Sequence, residues 1–388
     1  MKFGLLFIAT MLTTVLAELG YLVSLKPSES LESFLKSDIQ YPEGQQVKAQ
    51  IKNSFSIGTF RGFSGNFSQA MVERLRNCPL VSQVSEDIAV NAVAVQEQAP
   101  RHLVRLSQRQ KLESDDHSYI FQGNGAGVLV YVVDTGVAAE HPEFEGRVSF
   151  GADITGEGRG DPNGHGTHVA GIVGSKSYGV SKNVEIVEVK ALNKNGAAFA
   201  STLIEALEFV VQHRLRTGKP GVVNLSLGAG KHPVLEDAVK AAAATGLVLV
   251  AAAGNANTNA CNISPANSPE AITVGAIDDL YDTMTAFTNW GSCVDLFASG
   301  MFVPSINVND DNYPLYLSGT SMSAPIVAGL AANLLSEGIP PKDIKRKILD
   351  LSTRGGIPWP TLFFKWGTPN RIAYNGAENF EDYMQTAA

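Results

Sequence analysis

From residue 127 onward the chain alternates short apolar runs with helix-forming stretches, and this alternation restricts its fold more than any other feature. Val128–Val133, Val184–Leu192, Val222–Leu227, Leu247–Ala252 and Ile272–Val274 are short, apolar and rich in β-branched residues. Between them His168–Ser175, Thr202–His213 and Leu235–Thr245 have helical character, and the stripe Leu203, Leu207, Val210 reads as core. Near-continuous apolar strands separated by helices belong to a parallel sheet covered on both faces. The expected class is therefore α/β, a mostly parallel sheet with helices on both faces. A last helix is expected from about Ser323 through Leu335.

Residues 18–93 follow a different pattern. A strand at Tyr21–Leu25 precedes a helix-like segment with Ser30 in N-cap position and Leu31, Phe34 and Leu35 at helical spacing. Ile51–Ile57 and Gly58–Phe63 read as paired strands, Ser68–Asn77 as a helix ending before Pro79, and Val81–Ser85 and Ile88–Val93 as closing strands. That order is close to the small α+β, ferredoxin-like one. Ahead of it, Lys2 and the apolar run Phe3–Val15, ending in Val15-Leu16-Ala17, read as a secretory signal over residues 1–17. Residues 377–388 read as a polar C-terminal tail.

Composition removes some classes of function. A net charge of −8 and the lack of a basic block with interleaved aromatics argue against nucleic acid as a partner. No later apolar run is long and uninterrupted enough to span a bilayer; Ala241–Ala253 is short and broken by Thr245-Gly246. In the oxidising compartment that a signal implies, cysteines tend to pair. Of the three cysteines, Cys261 and Cys293 share one region and Cys78 lies far upstream, so a Cys261–Cys293 bridge is expected.

Three blocks carry chemistry. Asp134-Thr135-Gly136 ends the first apolar run, Asn163-Gly164-His165-Gly166-Thr167-His168 opens a helix rich in small residues, and Gly319-Thr320-Ser321-Met322-Ser323-Ala324-Pro325 starts the last one. A serine hydroxyl is a poor nucleophile until a base takes its proton, and a carboxylate on the other imidazole nitrogen orients that base. Asp134 ends a buried strand, where open α/β sheets place their ligands. Ser321, at a helix N-terminus, would have unpaired N–H groups beside it. Asn255, after the buried strand and Ala252-Ala253-Gly254, has a side-chain amide that with the Ser321 N–H would hold an oxyanion.

These blocks resemble the subtilases, most closely their proteinase K-like branch. The acid–base–nucleophile order is the one subtilisin uses. The similarity runs from about Val128 to Asn375, through His141-Pro142-Glu143-Phe144-Glu145-Gly146-Arg147, Ser226-Leu227-Gly228 and Gly367-Thr368-Pro369-Asn370-Arg371-Ile372-Ala373-Tyr374-Asn375. The resemblance implies a serine endopeptidase with a catalytic domain over 94–376 and no catalytic cofactor. It also implies that 18–93 is an inhibitory propeptide, cut off by the enzyme near Val93–Ala94, ahead of Gln96-Glu97-Gln98-Ala99-Pro100. Peptide and protein substrates would bind as an added strand between Gly196-Ala197-Ala198 and Ser226-Leu227-Gly228. A structural calcium is implied on the carbonyls of Pro269 and Ala271 and the carboxylate of Asp295. The inherited preference before the scissile bond is broad, for apolar or aromatic residues, in a monomeric enzyme that is secreted or retained in a vacuole-like compartment.

Some positions depart from the pattern. Val169 stands where proteinase K carries a cysteine beside the histidine, so no thiol dependence is expected. Ala198 and Ala229 stand where glycine is common, and their methyl groups would narrow the cleft. Some of these residues admit other readings. His165 and His168 have helical spacing for a metal pair but lack a third ligand, and Gly123–Gly127 precedes its strand, unlike a dinucleotide fingerprint. The rival function is that of a catalytically silent, binding-only homologue. Such proteins usually lose one of the three catalytic residues, and Asp134, His165 and Ser321 are all present.

Overall fold

The structure is a computed structural model, and it describes residues 20–37, 44–87, 94–113 and 117–377. The expected signal over 1–17, the closing strand Ile88–Val93 and nearly all of the tail lie outside the described residues. The chain divides into two compact units, residues 1–91 and 92–388.

The small unit runs β1 (Gly20–Leu25), α1 (Leu31–Ser37), α2 (Gly44–Gln50), β2 (Ile51–Ile57), β3 (Phe60–Asn66), α3 (Gln69–Asn77) and β4 (Val81–Glu86). Its antiparallel sheet has the order β2-β3-β1-β4. Alternate residues of β1 face inward: Tyr21, Val23 and Leu25 are buried with Phe34, Phe63, Phe67, Val72 and Leu75. The rings of Phe34 and Phe63 lie 5.3 Å apart, and Phe67 meets Phe63 edge-on. Ser68 caps α3 by accepting from the Met71 N–H, as its side chain suits it to do. Helix α2 was not foreseen; its sequence GQQVKAQ has a single large apolar residue, buried Val47, and so no visible period.

The large unit opens with β5 (Ala94–Gln96), α4 (Arg101–Leu106) and β6 (Tyr119–Phe121), and β5 pairs with β6. Next come β7 (Leu129–Asp134), β8 (Val148–Asp153), α5 (His165–Gly174), β9 (Glu185–Lys190), α6 (Ala200–Thr217), β10 (Gly221–Leu225) and β11 (Ala229–Gly230). They are followed by α7 (Pro233–Ala244), β12 (Val248–Ala252), β13 (Ile263–Ser264), β14 (Ala271–Asp278), β15 (Thr283–Met284), β16 (Leu296–Ser299), β17 (Val303–Ser305) and β18 (Leu315–Leu317). The chain closes with α8 (Thr320–Ser336), α9 (Pro341–Leu351), β19 (Thr353–Arg354), α10 (Trp359–Leu362) and β20 (Arg371–Ile372).

The main sheet has the order β19-β20-β16-β14-β12-β10-β7-β9-β8, and its body is parallel. Strand β7 shows why the run 128–133 is apolar throughout. Val130 and Val132 face a core shared with α5 and α8, while Leu129, Tyr131 and Val133 face a second core shared with α6 and α7. Both faces are covered, so neither set can be polar. The expected last helix, Ser323–Leu335, is α8, but it is not the last: α9 and α10 follow. Helix α9 is amphipathic and buries only Ile344 and Ile348, a thin apolar signal among six charged neighbours.

Cys261 and Cys293 form a disulfide, and Cys78 is free. The bridge spans 32 positions of sequence. Closing such a loop in the unfolded chain contributes about 3–4 kcal/mol on the chain-entropy model. Replacing both cysteines by serine is therefore expected to lower the unfolding free energy by about that amount in a denaturant titration. Thiol titration of the unreduced, unfolded full-length chain should find the single Cys78 thiol; more would contradict the pairing.

Candidate active site

The three blocks meet at the carboxyl ends of β7, β10 and β12, on the face that carries α5 and α8. Asp134 is the last residue of β7 and is fully buried. Its Oδ1 accepts the Thr135 N–H at 2.7 Å and lies 2.7 Å from His165 Nδ1. His165 is the first residue of α5 and its ring is about a quarter exposed, with side-chain exposure of 27%. Burial alone would lower the imidazole pKa. The Asp134 charge and hydrogen bond, with Asp161 adding to them, outweigh burial and hold it above the ordinary histidine value.

Gly166 makes this approach feasible. A Cβ there would lie 2.2 Å from the Gly136 carbonyl oxygen, so only glycine lets the first turn of α5 sit against the end of β7. The same turn is capped by Asp161, which the sequence reading overlooked. Its carboxylate accepts from the backbone N–H groups of Asn163, Gly164 and Thr167 and from the hydroxyls of Thr135 and Thr167, at 2.7–3.2 Å. A carboxylate suits the positive end of a helix. An acidic residue four places before the helix start was the available signal.

Ser321 is the second residue of α8, a helix buried on all sides from Met322 through Leu335. Pro325 lies inside that helix and has no N–H, so the carbonyl of Ser321 lacks its ordinary partner four residues on. Ser226 supplies one: its Oγ donates to Ser321 O at 2.9 Å, and Ser321 Oγ donates to Ser226 O at 3.2 Å. Among the described residues no hydrogen bond joins Ser321 to His165; the serine hydroxyl is turned to Ser226.

Asn255 follows β12. Its Oδ1 accepts both the backbone N–H and the hydroxyl of Thr320, each at 2.9 Å, which leaves Nδ2 as the group free to donate. Thr320, fully buried, also accepts the Gly254 N–H at 3.1 Å. It is a second residue the sequence reading passed over, although it stands beside the serine.

Gly196, Ala197 and Ala198 form one wall of a cleft of about 540 Å³, and Ser226, Leu227 and Gly228 form another. Asn163, His165, Leu192, Leu203, Ala229 and Leu235 also line it, and no lining residue is acidic. The turn carrying Gly196 is held by Asn193, whose Oδ1 accepts the Ala197 N–H, and Asn163 Nδ2 ties the turn to the loop before His165. His168 is buried with Nε2 on the Leu315 carbonyl, and burial pushes its pKa down to about 4. With His165 Nδ1 on Asp134, the two histidines point their nitrogens at different partners.

The oxygens expected to hold calcium do converge, but on an ammonium. Lys345 Nζ donates to Pro269 O at 3.0 Å and to Ala271 O at 2.7 Å, and it lies 2.9 Å from Asp295 Oδ2. The oxygens of Pro269, Ala271 and Asp295, which the resemblance gave to calcium, thus lie around a lysine from α9, a residue far from all three in sequence.

Comparison with known proteins identifies the family of each unit. Residues 125–367 match the model of the subtilase family, and residues 21–92 match that of the peptidase inhibitor I9 domain. The chain is 42% identical to the subtilase-type proteinase RRT12 of Saccharomyces cerevisiae, over 93% of this chain and 83% of that protein. It is 41% identical to the subtilisin-like serine protease Rho m 2.0101 of Rhodotorula mucilaginosa, over 79% of this chain and 95% of that one. A crystal structure of a cold adapted subtilisin-like serine proteinase superposes with a TM-score of 0.65 at 39% identity, covering 72% of this chain and 98% of the other. The chain belongs to the subtilase family of serine endopeptidases, with an I9 propeptide domain ahead of its catalytic domain.

Proposed function

We propose that the chain is the zymogen of a secretory-pathway endopeptidase in which Asp134 orients His165, His165 takes the proton of Ser321, and Ser321 attacks the scissile carbonyl. The observation that carries this reading is the 2.7 Å contact between buried Asp134 and His165 Nδ1, which leaves Nε2 as the working nitrogen. The serine hydroxyl must swing from Ser226 O toward Nε2 when substrate arrives, a rotation about one side-chain bond; catalytic hydrogen bonds often close only in the substrate complex. As the carbonyl becomes tetrahedral, its oxygen develops charge. Asn255 Nδ2 and the Ser321 N–H are the donors assigned to it, the first oriented by Thr320 and the second at the open end of α8. His165 then returns the proton to the leaving amine, and water repeats the cycle on the acyl-enzyme.

Substrate is proposed to lie as an extended strand between 196–198 and 226–228. Both segments are exposed or border the cleft, and the cleft's small and apolar lining without carboxylates favours apolar or aromatic side chains over lysine or arginine. The domain boundaries are proposed at residues 17, 93 and 376, with self-cleavage near Val93–Ala94 releasing the inhibitory domain. No single helix among the described residues is long and apolar enough to cross a membrane.

Expression of the full chain beside Ser321→Ala tests the core of this reading. The unsubstituted chain should shorten to a species starting near Ala94 and react with a fluorophosphonate, and the variant should do neither. Two uncut, unreactive products would favour a binding-only protein. The pH profile tests the dyad. His165 must be neutral to act as base, and its pKa is raised, so kcat/KM should climb with pH through a limb above 6.5. In Asp134→Asn the raising partner is gone and burial remains, so that limb should move to lower pH while kcat falls by about 10⁴. Thr320→Val tests the oxyanion donor's support. Deleting such a donor outright costs about 10²–10³ in kcat, a magnitude measured on subtilisin itself, so loosening it should cost roughly 10-fold in kcat with KM little changed. Thr320→Ser should keep most of the activity.

A further inference from the structure

We propose that the Lys345 ammonium is a built-in substitute for a divalent cation, so that this part of the catalytic domain is held together without calcium. The oxygens of Pro269, Ala271 and Asp295 surround Nζ at 3.0, 2.7 and 2.9 Å. The ammonium donates to two carbonyls and forms an ion pair with the Asp295 carboxylate. These are hydrogen-bond lengths. Calcium needs about 2.3–2.6 Å and six to eight oxygens. The charges also match a monovalent occupant: one carboxylate balances one ammonium.

The lysine is delivered by fold rather than by local sequence. Its neighbours on α9, Ile344 and Ile348, are fully buried in the core that α8 helps to build, which fixes the helix on the sheet. The Lys345 side chain is 32% exposed and that of Asp295 19%, so the pair lies beneath the surface without being sealed from solvent. Asp295 is itself pinned: its Oδ2 accepts the Thr273 N–H at 2.9 Å, and its own N–H donates to Thr273 O. A cation bound to the same three oxygens would tie the start of β14 to the residue before β16. The ammonium ties both to α9 as well.

The tie reaches the cleft. Residues 265–270 connect β13 to β14, and Ser264 of β13 pairs with Ala229, which lines the cleft. Thr273 Oγ1 holds the Ala266 carbonyl at 2.7 Å within the same connection. Fixing Pro269 and Ala271 therefore steadies the segment behind one cleft wall.

The test uses the full chain carrying Ser321→Ala, so that proteolysis does not interfere, and reads the melting midpoint in EGTA and in millimolar calcium chloride. With Lys345 present the two midpoints should coincide. Lys345→Met keeps most of the apolar stem and removes the charge. Its midpoint in EGTA should fall by about 3–6 °C, because a part-buried carboxylate loses its partner. Calcium should restore part of that fall, and Asp295→Asn added to Lys345→Met should abolish the restoration. A fall that calcium does not reverse would still support the lysine as the sole occupant. Asp295→Asn alone, which keeps the lysine but not its counter-charge, should lower the midpoint and leave it insensitive to calcium; it serves if the methionine variant does not fold. Two results would overturn the proposal: a Lys345 protein that loses stability in EGTA in a manner removed by Asp295→Asn, or a Lys345→Met protein as stable as its parent.

Discussion

A carboxylate with no exposure to solvent sits at the end of β7, and much of the catalytic domain is arranged around it. Burying an ionised carboxylate costs several kcal/mol unless hydrogen bonds and an opposite charge answer it. Asp134 Oδ1 is answered by the Thr135 N–H and by His165, both 2.7 Å away, while Oδ2 has no hydrogen-bond partner among the described residues. The second answer requires α5 to start against the end of β7, which Gly166 allows sterically and Asp161 enforces by capping the helix. Because the histidine is what compensates the buried charge, the same contact that stabilises the fold raises the basicity of the imidazole. Structure and chemistry here are one interaction seen from two sides.

The nucleophile is set by a helix defect. An unbroken α8 would use the Ser321 carbonyl internally. Pro325 denies it that bond, and the carbonyl turns to Ser226. The reciprocal bond from Ser321 Oγ to Ser226 O makes this a two-point connection between the start of α8 and the residue after β10. Ser226 also opens the segment 226–228 on which substrate is proposed to lie. A peptide settling on that segment would thus bear on the residue that holds the serine hydroxyl in its resting direction. The cost of a proline in a helix interior, about 3 kcal/mol, is reduced here because its worst consequence, an unpartnered buried carbonyl, is met from a neighbouring strand.

Legibility in the sequence followed locality. The strands of the main sheet were readable because burial on both faces leaves an uninterrupted apolar run, as at 128–133. Asp134, His165, Asn255 and Ser321 were readable because each stands at a strand end or helix start inside a compact block. The structure brings the first two into contact and sets Asn255 beside Ser321 through Thr320. Asp161 and Thr320 were missed although both lie within or beside those blocks, because they act on backbone groups and leave no pattern of type or spacing. Helices α2 and α9 were missed because each buries only one or two large side chains, too few to mark a period against charged neighbours. Of the two closing strands expected for the small unit, Val81–Ser85 is β4, and Ile88–Val93 falls on residues outside those described.

Lys345 shows the opposite limit. Pro269, Ala271 and Asp295 carry the right atoms in the right place, and a reading confined to those residues arrives at a cation. With the role proposed for Lys345, the charge is the expected one and the species is an ammonium. What decides the species is the number of protons and charges available to satisfy three oxygens, and that is settled by a side chain more than forty residues beyond Asp295. An ammonium on a helix already anchored by Ile344 and Ile348 is present at an effective concentration that no free ion need match, and it cannot diffuse away when ion levels fall. A free cation stabilises only in proportion to its concentration over its dissociation constant, whereas a tethered one contributes at every concentration. A donor set therefore identifies the charge it was shaped to hold, and only the full three-dimensional neighbourhood identifies what carries that charge.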